Sequence, residues 1–60
     1  LTQKEKILFA PIIKDGKYTP IRLLGKGTFG TVVEAYCNTT NKLVAIKRMS
    51  SFEKYEYTMV

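Results

Sequence analysis

The chain reads as a mainly antiparallel β fold, three strands preceded by a small hairpin. Three observations predict it: β-branched and aromatic runs near residues 21–24, 31–36 and 43–46, turn-forming residues between those runs, and no N-cap with a 3.6-residue apolar period after Gly30.

The hairpin is read from Lys14-Asp15-Gly16-Lys17, an Asp-Gly pair set between Ile12-Ile13 and Tyr18-Thr19. Before it, Ile7-Leu8-Phe9-Ala10-Pro11-Ile12-Ile13 reads as a strand and a bend, because Pro11 interrupts the apolar run and no small-residue cleavage site follows it. Ile21 and Leu23 alternate with Arg22, which predicts a half-buried strand ending near Leu24, with Pro20 at its start where no ladder donor is needed. Thr31-Val32-Val33-Glu34-Ala35-Tyr36 forms the second strand. Asn38-Thr39-Thr40-Asn41-Lys42 is a polar turn, and Leu43-Val44-Ala45-Ile46 reads as a strand buried on both faces. In the tail, Ser50 or Ser51 is a candidate N-cap with Glu53 in the first turn, but Tyr55, Tyr57 and Thr58 are weak helix formers.

Composition excludes several function classes. Cys37 is the single cysteine and there is no histidine, so neither an internal disulfide nor a common zinc cluster can stabilise these sixty residues. A chain this short buries only about 60% of its unfolded surface. Together with its start at Leu1 and its stop at Val60, this predicts a piece of a larger protein. The net charge of +5 is spread from Lys4 to Lys54 with no run longer than Lys47-Arg48, so neither a nucleic-acid nor a membrane partner is expected. No segment approaches transmembrane length, and an intracellular setting, cytoplasm or nucleus, is expected.

The chemistry lies in Gly25-Lys26-Gly27-Thr28-Phe29-Gly30-Thr31-Val32 and in Lys47, seventeen residues beyond Gly30. A glycine hexad has three readings: a flexible hairpin, a dinucleotide-binding turn, or a lid over nucleotide phosphates. The second needs a helix at the last glycine and an acid about 20 positions later. Thr31-Val32-Val33 starts a helix poorly, Glu34 comes too early, and no Gly-Lys-Ser or Gly-Lys-Thr closes a P-loop. The third reading fits the strands on either side. Leu24 and Val32 flank the loop and can face a planar base, Ala45 is small enough to admit that base, and Lys47 shares Ala45's face of its strand. Lys47 follows an apolar run where burial demands a charged partner, which favours phosphate over solvent. Arg48 points the other way, towards water. Phe29 has two readings, a shield over the phosphates or a ring packed against the underside of the hairpin.

These residues resemble the amino-terminal lobe of the eukaryotic protein kinases, in which a Gly-rich loop is followed by a Val-Ala-Ile-Lys strand. Residues 24–32, Ala35 and Val44-Ala45-Ile46-Lys47 carry the resemblance. It implies an α+β parent fold, with residues 1–17 an amino-terminal extension and residues 18–60 a truncated lobe holding the Gly-rich loop at 25–32 and the third strand at 43–48. It also implies that ATP is the cofactor. Leu24, Val32 and Ala45 would contact adenine; Gly25, Lys26, Gly27, Thr28, Phe29, Gly30 and Thr31 would form the loop over the phosphates; and Lys47 would be the catalytic lysine. Thr28 has a second reading as a phosphorylation site. The glutamate that pairs with the lysine in the family falls beyond Val60, so neither Glu53 nor Glu56 is expected to serve.

The His-Arg-Asp and Asp-Phe-Gly motifs are absent, so magnesium ligands, catalytic base and protein-substrate contacts are expected in another lobe, and these sixty residues alone should be inactive. Gly-Lys-Gly-Thr-Phe-Gly with Val32-Val33-Glu34, together with the extra hairpin read around Asp15-Gly16, resembles the CMGC group that contains the LAMMER, Clk-like and dual-specificity tyrosine-regulated kinases. The expected function is transfer of the ATP γ-phosphate to serine or threonine hydroxyls by the complete protein. The alternative is a pseudokinase lobe kept for binding or scaffolding. The resemblance further implies that the third strand, without the elements that cover it in the family, has an exposed edge prone to aggregation.

Overall fold

The computed structural model describes residues 1–49 and 54–59. Two short helices, α1 (Gln3–Leu8) and α2 (Ala10–Lys14), precede four strands: β1 (Tyr18–Gly27), β2 (Gly30–Cys37), β3 (Lys42–Met49) and β4 (Tyr55–Met59). The strands form one antiparallel sheet in sequence order.

The expected amino-terminal strand, bend and hairpin are replaced by the two helices. A capping box starts α1: the Glu5 amide donates to Thr2 Oγ1 at 3.2 Å, and the Thr2 amide donates to Glu5 Oε1 at 2.9 Å. Pro11 lies in the first turn of α2, where its missing N–H breaks no helical bond, so the residue read as a bend is a helix starter. Gly16 then ends the helix at φ 74°, a left-handed conformation that glycine adopts without steric cost, and its amide donates to the Ile13 carbonyl at 3.1 Å. Asp15-Gly16 is therefore a helix stop. Asn38 fixes this corner by donating to the Gly16 carbonyl and to Thr19 Oγ1, both at 3.0 Å.

Period-two alternation is plain in β2, where Thr31, Val33, Ala35 and Cys37 are buried and Val32, Glu34 and Tyr36 are half-buried. In β3, Val44 and Ile46 are buried while Ala45 and Lys47 are half-buried, so this strand covers its core on one face only, against the expectation of two. Phe9 and Ile12 of the helical segment pack on the buried face with Val33, Ala35, Cys37, Val44 and Ile46. Residues 38–41 make the expected polar turn, with Asn41 at φ 59° and its amide donating to the Cys37 carbonyl at 2.8 Å. In β1 the register shifts between Pro20 and Arg22 and again between Leu23 and Gly25, leaving Ile21 and Leu24 as extra residues. Ile21, Leu23 and Leu24 are exposed, so β1 is not the half-buried strand that its alternation suggests.

A fourth strand was not expected. β4 pairs with β3 from Val44↔Met59 to Arg48↔Tyr55, so the edge expected to be open is covered by the chain's own tail. Tyr55, Tyr57 and Thr58 favour this pleated environment over a helix. The predicted helix start at Ser50, Ser51 and Glu53 lies outside the described residues. β4 is anchored across the core: the Tyr55 hydroxyl donates to the Leu8 carbonyl at 2.8 Å, and its ring lies 5.8 Å from that of Phe9. The sheet curls enough for Tyr18 of β1 and Tyr57 of β4 to stack at 5.1 Å, and burial raises the Tyr57 hydroxyl pKa.

Candidate functional site

The face of the sheet away from the helices carries the predicted site. Direct register partners share a face, so the pairings place Gly25, Val32, Lys47 and Glu56 in one row across all four strands. The next row on the same face is Arg22, Glu34, Ala45 and Thr58. Val32, Ala45 and Lys47 are thus brought together, as the two-residue spacing in β3 predicts. Leu24 is 42% exposed at the bulge just before Gly25.

The glycine loop is a tight strand-to-strand turn. Gly27 pairs with Gly30, and Thr28 and Phe29 form the tip between them, with Gly30 at φ 134°. No helix opens at Gly30, which removes the dinucleotide-binding geometry on structural grounds. Thr31 and Lys26 are register partners one position away from the Val32 row, and the Thr31 side chain is buried on the helix side. Of the predicted loop contacts, Thr31 can therefore offer this face its backbone but not its hydroxyl.

Phe29 folds under the loop. Its ring centroid lies 5.2 Å from Lys47 Nζ, within cation–π range. A Cβ on Gly27 would meet Phe29 Cε1 at 2.8 Å, closer than real Cβ atoms come, and one on Gly25 would sit 3.9 Å from Phe29 Cζ. In this structure Gly27 is required for the close approach of an aromatic ring. Of the two readings of Phe29, the structure displays the ring packed against the underside of the hairpin.

Arg22 Nε donates to Glu34 Oε1 at 2.9 Å, on the row that holds Ala45. Spacing alone gave no sign of this pair, because only the register across the β1 bulges makes Arg22 the partner of Glu34. Glu56 stands opposite Lys47 in the β3–β4 register. Arg48 is not solvated as expected: it lies on the core face, half-buried, with its Nε enclosed and without a hydrogen-bond partner among the described residues. Two further groups are tuned away from this face. The Thr2 amide holds the Glu5 carboxyl below its ordinary range, and the Thr40 hydroxyl lowers the thiol pKa of buried Cys37.

The arrangement places one ammonium group on a half-open sheet face beneath a glycine turn, beside two small or branched apolar side chains. Comparison with known proteins points the same way. Over 39 residues, 65% of this chain, it is 46% identical to the dual specificity protein kinase lkh1 of Schizosaccharomyces pombe. Over 52 residues, 87% of this chain, it is 38% identical to homeodomain-interacting protein kinase 1 of Caenorhabditis elegans. The similarity is to protein kinases. The matched segment spans 6% of the length of each of these relatives. No protein-family profile matches the chain, and no solved structure matches it. Among the described residues no helix is long and apolar enough to cross a membrane, and no group of three or more His, Cys, Asp or Glu side chains is placed to hold a metal ion.

Proposed function

We propose that this chain is the ATP-binding part of a protein kinase. The observation that carries the reading is the place of Lys47, two residues from Ala45 on the open face, in register with Val32 and beneath the tip of the glycine turn. Lys47 would hold the α- and β-phosphates, backbone amides from Gly25 to Gly30 would approach them where no Cβ intervenes, and Leu24, Val32 and Ala45 would bound the adenine. ATP would supply the transferred phosphoryl group. The described residues contribute binding and charge neutralisation; acceptor positioning, the catalytic base and the magnesium ligands would come from elsewhere in the protein.

The acceptors proposed are protein hydroxyls, serine and threonine first. The name of the fission-yeast relative, a dual specificity protein kinase, supports adding tyrosine. The CMGC placement rests on Gly25-Lys26-Gly27-Thr28-Phe29-Gly30 with Val32-Val33-Glu34. An intracellular location is part of this reading, as is the absence of a nucleic-acid or membrane partner, since basic side chains are scattered rather than clustered.

Lys47→Met in the complete protein tests the proposal. Phosphoryl transfer should fall at least about a hundredfold, the range for losing a preorganised charge at a reacting group, with the circular dichroism spectrum unchanged. Full activity in that variant refutes the role of Lys47. A wild-type protein that binds ATP without transferring phosphate identifies the pseudokinase alternative.

A further inference from the structure

We infer that Phe29 is a plug of the nucleotide site: with no nucleotide bound, its ring fills the space between the glycine turn and Lys47 and must swing out before a phosphate can reach the lysine. This rests on the nucleotide reading above and adds a regulatory element to it.

Three features of the structure support it. The ring faces the Lys47 ammonium at 5.2 Å, so ring and phosphate compete for one cation. The ring also presses on Gly27, where even a methyl group would collide, so it stands under the backbone that would cover the phosphates. Finally, Phe29 remains 46% exposed and belongs to no core cluster. At that exposure little apolar burial opposes its release. The turn can deliver that motion: Thr28 and Phe29 are its two tip residues, flanked by Gly27 and by Gly30 at φ 134°, a conformation that residues with a Cβ rarely adopt.

Such a plug lowers apparent affinity by the fraction of molecules in which it is open. The opposite role, a shield closing over bound phosphates, would raise affinity. Phe29→Ala separates them. In the full protein, titrated with ADP by calorimetry, Phe29→Ala should tighten binding about two- to fivefold, the factor set by an exposed cation–π contact. The apo protein gives a nucleotide-free readout: the ring current of Phe29 should shift the Lys47 side-chain methylene resonances upfield, and both Phe29→Ala and Gly27→Ala should abolish the shift.

Weaker or unchanged ADP binding in Phe29→Ala overturns the plug while leaving the nucleotide site standing. An unshifted Lys47 in wild-type apo protein also overturns it. A protein that binds ADP neither with nor without Phe29 refutes the nucleotide reading, and the plug with it, even if the ring-current shift is present.

Discussion

Truncating Phe9 probes the least expected part of the fold. Phe9 is fully buried between the two helices, against the sheet core and the Tyr55 ring. Removing a fully buried phenylalanine costs about 3–5 kcal/mol in lost transfer energy and cavity formation. A chain of sixty residues has a total folding stability of about 3–9 kcal/mol on the usual per-residue scale. Phe9→Ala should therefore remove about a third or more of the stability, and at the low end of that range it unfolds the chain at 25 °C. Ile7, two residues earlier in α1 but 63% exposed, is the control, and Ile7→Ala should change stability by less than about 0.5 kcal/mol. Urea unfolding followed by far-ultraviolet circular dichroism measures both. The strand-and-bend reading of this segment gives no reason for such a contrast. If Phe9→Ala loses less than about 1 kcal/mol, the helical cap does not contribute to the core, and the reasoning from burial to stability fails.

Two other perturbations test local devices. Gly16→Ala meets no steric neighbour but must hold a φ of 74°, so it should destabilise by about 1 kcal/mol in the same unfolding assay; an unchanged midpoint would mean that the α2 stop is not fixed by Gly16. Glu5 has its carboxyl pKa lowered, first by the Thr2 amide, so the ionised form is favoured in the folded state. Its contribution is complete above the ordinary glutamate value of about 4.3 and is lost as pH falls through the lower folded value. Protection factors of the Thr2 and Glu5 amides, the exchange rates corrected for their intrinsic pH dependence, should fall over that acid window in wild type and stay flat in Glu5→Gln. An equal fall in both proteins would exclude the cap as its cause.

Legibility followed the range of each interaction. The strands β2 and β3 were readable from their β-branched runs, and the common face of Ala45 and Lys47 from the side-chain period of a strand, which covalent geometry fixes. The one-sided burial of β3 was not, because Leu43-Val44-Ala45-Ile46 is apolar on both faces and only packing selects the side that Val44 and Ile46 occupy. The polar turn at 38–41 was readable for a similar reason, since asparagine tolerates the left-handed conformation that Asn41 adopts. The amino terminus was misread although its signals are local. Thr2 and Glu5 have the spacing of a capping box, and Pro11 and Gly16 sit where helices start and stop, but the same Asp-Gly and β-branched residues also suit a hairpin. Docking of Phe9 and Ile12 on the sheet favours the helices.

The sequence by itself determined the sheet's core strands, the strand-to-strand character of the glycine turn, and the common face of Ala45 and Lys47, because each depends only on residue type and periodicity along a few residues. Tertiary structure decided what residues distant in sequence do together. It set the bulged register that joins Arg22 to Glu34, the pairing of β4 along the edge of β3, the anchoring of Tyr55 on Leu8 and Phe9, and the turn of Phe29 onto Lys47. Such contacts depend on strand register and sheet curvature, which arise only when the whole sheet packs, and no local pattern of residues encodes them.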